Sequence, residues 1–89
     1  MAEPLELSVQ ATPNPNAIKV TLNRVLAAHG TTYRERSTAD AGWAQRLLEI
    51  PGVTQLFVLN DFISITKQPG SDWNDLGPRI EQVLRETLT

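Results

Sequence analysis

Cysteine is absent from the 89-residue chain, and histidine occurs once, as His29. Without thiols the chain makes no disulfide, no thiolate nucleophile and no thiolate-bound zinc or iron–sulfur centre. A lone imidazole likewise cannot build a His-rich metal site. No apolar run approaches the ~18 residues that a membrane helix needs. The opening Met1-Ala2-Glu3-Pro4 lacks the basic and apolar stretches of a signal peptide, so a cytoplasmic location is expected. A basic excess is missing too: 8 Lys and Arg stand against 10 Asp and Glu, for a net charge of −2. That balance speaks against nucleic acid as a partner. Gly-rich phosphate loops and the H-E-x-x-H and G-x-S-x-G patterns are also lacking, and no enzyme is expected.

What the chain does have is 40% hydrophobic and 20% charged residues, the make-up of an ordinary globular domain rather than a disordered segment. We expect one domain over residues 1–89, with residues 1–4 flexible. Leu5, Leu7, Val9 and Ala11 alternate with polar residues, the period of a half-buried strand. Thr12-Pro13-Asn14-Pro15-Asn16 breaks it, because proline removes ladder donors and asparagine accepts turn geometry. Alternation resumes at Ile18, Val20 and Leu22, so the two runs predict a hairpin. Residues 23–38 read as an irregular crossover, in which Thr31 to Arg36 is able to add a short strand.

Ser37 or Thr38, with Asp40 nearby, can cap a helix whose apolar stripe is Trp43, Ala44, Leu47, Leu48 and Ile50; Pro51-Gly52 ends it. Val53 to Leu59 and Phe62 to Lys67 predict a second hairpin, turned at Asn60-Asp61. A two-residue turn sets Leu59 opposite Phe62, Val58 opposite Ile63, Phe57 opposite Ser64 and Leu56 opposite Ile65. Leu56, Val58, Ile63 and Ile65 then form an aliphatic core face. Ser71 or Asp72 can cap a last helix with the stripe Trp73, Leu76, Ile80, Val83, Leu84 and Leu88. Pro78 suggests that its regular part starts only near Gly77. The predicted architecture is an α+β two-layer sandwich in the order β-β-α-β-β-α, with an antiparallel sheet and both helices on one face.

Two features stand out as candidate partner-binding elements. Phe57, Leu59 and Phe62 share the sheet face that the helices leave free, and large apolar groups side by side there make an interaction patch. Folding of residues 23–36 or the N-terminus over them is the plainer alternative. Asn14 and Asn16 sit in a stiff loop that either simply turns the chain or presents amides to a partner. Asp61, Asp72 and Asp75 are the dense acidic group and suggest a small metal-dependent enzyme as the alternative function; helix-start and turn roles account for them more simply. A stand-alone structural module of unknown role is a further alternative.

The run Thr12-Pro13-Asn14-Pro15-Asn16-Ala17-Ile18-Lys19 resembles the opening signature of the Nfu/NifU-type scaffold N-terminal domain. Leu47, Ile50-Pro51-Gly52-Val53, Phe57, Asp61-Phe62-Ile63 and Thr66-Lys67 resemble its second signature, continued by Trp73, Leu76 and Pro78. The likeness spans residues 5–88. It departs where Ala41-Gly42-Trp43-Ala44 replaces a Ser-Pro-Leu-Ala-like lead into the helix. The resemblance implies a role around iron–sulfur cluster assembly. In full-length members a separate Cys-x-x-Cys domain holds the cluster, so no cofactor is carried over to a chain without cysteine. It implies a non-catalytic accessory domain that docks to a scaffold, donor or client protein, with a Cys-x-x-Cys scaffold as the candidate partner.

Overall fold

The computed structural model describes residues 4–35 and 41–88. Five strands, Leu7–Ala11 (β1), Ala17–Leu22 (β2), Ala27–Tyr33 (β3), Val53–Asn60 (β4) and Phe62–Lys67 (β5), form one antiparallel sheet in the order β1-β2-β5-β4-β3. Helices Gly42–Leu48 (α1) and Trp73–Thr87 (α2) cover one face. The α+β sandwich and its β-β-α-β-β-α order are therefore present, with one strand added.

The added strand corrects the expectation of an irregular crossover over residues 23–38. Ala27, Ala28 and Gly30 have little intrinsic preference for strand, but β4 offers a free edge and pairing overrides propensity. A register shift between Ala27 and Thr31 marks the irregular part. Residues 23–26 carry the chain from β2 across the tip of the β4–β5 hairpin, about 14 Å at three inter-strand spacings. Their route is fixed by hydrogen bonds: the N–H groups of Leu22 and Leu26 donate to the carbonyls of Asp61 and Asn60, each at 2.7 Å.

The tip itself pairs as the sequence predicts. Leu59 faces Phe62, Val58 faces Ile63, Phe57 faces Ser64 and Leu56 faces Ile65. Of the two turn residues Asn60 takes the positive φ, at 54°, a conformation asparagine tolerates. The inner face is closed by Leu56, Val58, Ile63, Ile65 and Val20, none more than 1% exposed, beneath Ala44, Leu47, Leu76 and Leu84. Trp43 meets Tyr33 edge to face at 6.0 Å, extending this layer over β3.

Two helix starts differ from expectation. The backbone N-cap of α1 is Ala41, without a side-chain cap; Ser37, Thr38 and Asp40 lie outside the described residues. Asp72 does cap α2, accepting from the Asn74 N–H at 2.9 Å, and the helix then runs unbroken from Trp73 through Pro78. The ring removes only the donor that would have reached the Asn74 carbonyl, and Asn74 and Pro78 both face water, which can take that carbonyl. Arg46 ties the helices together through Glu86 at 2.7 Å; that guanidinium, with the Gln82 amide, holds the Glu86 carboxyl below the usual carboxylate range.

The first strand is shorter and more open than its alternation suggests. It begins at Leu7, with Leu5 buried ahead of it and the Leu5 carbonyl accepting from Arg85 at 3.0 Å. Val9, opposite Val20, lies on the helix side yet stays 57% exposed, at a hollow that Gly77, Ile80 and Glu81 of α2 line with it.

Candidate protein-interaction surface

Strand alternation determines which residues reach the face without helices. In β4, Leu56 and Val58 point inward, so Gln55, Phe57 and Leu59 point outward; in β5, Phe62, Ser64 and Thr66 share that side. Phe57 and Phe62 are diagonal neighbours across the hairpin, with ring centroids 6.2 Å apart and planes tilted by 47°. Leu59 stands directly opposite Phe62. All three side chains are half-buried against one another and against the sheet, and neither helix packs on them.

The flanks of this cluster come from strands distant in sequence. On one side β2 pairs with β5 so that Lys19 faces Ser64, and its ammonium lies 4.6 Å from the centre of the Phe62 ring, within cation–π range. On the other side the Phe57 ring lies across β3: a methyl group added at Gly30 would come within 3.0 Å of its Cζ. Beyond it, Arg34 Nε donates to Gln55 Oε1 at 3.1 Å. None of the strands contains Asp or Glu, so the described acidic groups lie in loops and helices.

The Asn14–Asn16 loop lies at the other end of the sheet. Asn16 leads into β2 beside Lys67, whereas Phe62 starts β5, five residues or about 17 Å away. The structure thus brings Phe57, Leu59 and Phe62 together and leaves Asn14 and Asn16 apart from them. Within the loop, Asn14 Oδ1 accepts from the Asn16 N–H at 2.9 Å, and the Thr12 hydroxyl lies 2.9 Å from the carbonyls of Asn14 and Ala17. Asn16 Oδ1 accepts from Lys67 Nζ at 3.1 Å, and the Pro15 carbonyl accepts from the Trp73 indole at 3.1 Å. Lys67 is only 8% exposed; its ammonium also reaches the Gln68 carbonyl at 3.3 Å and lies 5.7 Å from the Trp73 ring centre. The loop's stiffness therefore comes from a hydrogen-bonded knot around a buried cation, and Asn16 is a member of it.

The three aspartates do not converge. Asp72 is spent on the α2 cap, Asp75 lies 3.8 Å from Arg79, and Asp61 occupies the hairpin tip at the opposite end of β5. Among the described residues no group of three or more metal-ligating side chains forms, and no helix is long and apolar enough to cross a membrane. The sequence missed Lys19 and Arg34 as neighbours of the rings. Only the β2–β5 and β3–β4 pairings reveal them, and both join residues far apart in the chain.

Comparison with known proteins gives a consistent answer. The family model described as scaffold protein Nfu/NifU N terminal matches residues 7–89. A "conserved virulence factor C" of Staphylococcus haemolyticus is 34% identical over 79 residues, covering 88% of this chain and 21% of that protein. The chain thus spans about a fifth of the length of the curated relatives it matches. A crystal structure of a Staphylococcus aureus protein superposes with a TM-score of 0.82 at 28% identity, covering 89% of this chain and 98% of that one. A solution structure of a NifU-like protein from Saccharomyces cerevisiae gives 0.82 at 26% identity, covering 94% and 78%.

Proposed function

The chain belongs to the Nfu/NifU scaffold N-terminal family, and from that membership we propose that it is a non-catalytic docking domain in iron–sulfur cluster assembly. In this reading it engages a scaffold, donor or client protein in the cytoplasm without holding a cluster itself. A Cys-x-x-Cys scaffold is the partner that best complements a chain with no thiol of its own.

The observation that carries the proposal is the helix-free cluster of Phe57, Leu59 and Phe62. Aromatic and aliphatic groups close together, rimmed by polar ones, are what hot-spot surfaces are made of. The exposed Asn14 amide is a second, smaller contact, and Asn16 contributes by holding the loop in shape.

The test is a titration of the isotope-labelled chain with a purified Cys-x-x-Cys scaffold domain, read by amide shifts. Shifts centred on residues 57, 59 and 62 are expected, and Phe57→Ala with Phe62→Ala should weaken binding at least about tenfold while circular dichroism stays native. A folded double variant that binds as well as the parent overturns the proposal.

A further inference from the structure

We infer that the segment docking on this face is an acidic stretch of protein, with carboxylates about five positions apart bracketing one or more apolar side chains. The inference rests on the docking role proposed for Phe57, Leu59 and Phe62 and adds the chemistry of the partner. The rings lie between two cations: Lys19 on the β2 side, over Phe62, and Arg34 beyond β3, held by Gln55 next to Phe57. Three strand spacings separate β2 from β3, and Arg34 lies two residues beyond Thr32, the β3 position in line with Lys19 through Ser64 and Phe57, so the cations bracket the cluster at about 16 Å. An extended segment crossing the strands obliquely covers that distance in about five residues.

No outward strand position opposes such a segment with a carboxylate, since β1 to β5 contain neither Asp nor Glu. The chain's net charge of −2 does not reverse this. Asp72, Asp75, Glu81 and Glu86 belong to α2 or its cap, on the far side of the sheet, and Asp61 lies at the hairpin tip, on the other side of Phe62 from Arg34 and outside the span between the cations. A sheet and its packed layer are about 10 Å apart, comparable to the screening length in physiological salt, so local charge decides what settles on the face. Both cations are also ready for a second partner. The Lys19 ammonium lies over a ring and the Arg34 guanidinium bonds a neutral amide, so neither contact neutralises its charge. A single-stranded nucleic acid would find rings to stack on, but two cations give it little of the phosphate neutralisation from which such binding draws its strength.

The test uses the whole chain and three synthetic probes. One is a peptide of about nine residues carrying glutamates about five apart around leucine and phenylalanine, the second its glutamine isostere, the third an oligothymidylate of similar length. Amide shifts are followed at about 0.15 M salt. The acidic peptide should bind about tenfold more tightly than its isostere, shifting residues 19, 34, 57, 59 and 62. The double variant Lys19→Gln, Arg34→Gln should abolish that preference with the fold intact. Equal binding of the two peptides at the rings overturns the acidic partner and leaves the docking surface standing. Absence of ring shifts with either peptide overturns both. Tighter binding of the oligothymidylate than of the acidic peptide overturns the inference in favour of nucleic acid.

Discussion

The two faces of the central hairpin carry similar numbers of apolar side chains and use them differently. Inward, Leu56, Val58, Ile63 and Ile65 are sealed by two helices and at most 1% exposed. Outward, Phe57, Leu59 and Phe62 are shielded only by their neighbours and by Lys19. The same strand alternates between the two regimes at every residue, so adjacent positions report on opposite kinds of energetics. Burial on the inner face holds the domain together, whereas the outer face keeps apolar area that a partner can still remove from water.

The sharpest way to break that comparison is to truncate neighbours. Leu56→Ala should cost about 2–5 kcal/mol of unfolding free energy in urea titration, through the cavity it leaves. Phe57→Ala, one residue on, should cost about 1 kcal/mol, its main effect falling on binding. Comparable losses would mean that the outer rings are core. Next in size is Lys67, the one buried polar side chain among the described residues: Asn16→Ala removes an acceptor from it and should cost about 1–3 kcal/mol. The double change Asn16→Ala, Lys67→Met should recover part of that loss, because no cation is then left without its acceptor. Smaller still is Gly30→Ala, whose methyl must displace the Phe57 ring; the aromatic resonances of Phe57 should move while stability changes by about 1 kcal/mol.

The smallest effect belongs to the exposed helix pair. Because Arg46 and Gln82 lower the folded-state pKa of Glu86, the pair stabilises the domain above the carboxyl's unfolded value. That contribution disappears as pH falls through the lower, folded value. Glu86→Gln should flatten this acid limb in pH-dependent melting and leave neutral-pH binding unchanged, since the outer face is far away.

The sequence made the central hairpin legible down to its residue pairs because a two-residue turn leaves no freedom in register. The α2 cap was legible to within two residues, Ser71 or Asp72, for a similarly local reason, capping side chains immediately before an amphipathic stripe. Where distant segments meet, local patterns fall silent. Ala27-Ala28-His29-Gly30 becomes strand only because β4 lies beside it. Lys19 joins the aromatic cluster only because β2 lies next to β5, and its own neighbours do not encode that order. Of the candidate site, the rings could therefore be read from the chain, but the charges beside them could not. The proline- and asparagine-rich loop was recognisable as stiff, while its fastening to Lys67 and Trp73 needed residues over 50 positions away.

The passage of residues 23–26 over the hairpin tip has a consequence for how the chain reaches this state. Its two flanking strands are consecutive in sequence, yet they never touch: a later segment is wedged between them and pairs with both, on the side of β2 that β1 leaves free. β2 can close on β1 as a local hairpin, but until that wedge exists β3 has nothing to zip onto, so it must wait for the later half of the chain. Pulse-labelled hydrogen exchange should find amides of 53–67 protected before those of 27–33, which makes the last-closing seam of the sheet the one that borders Phe57.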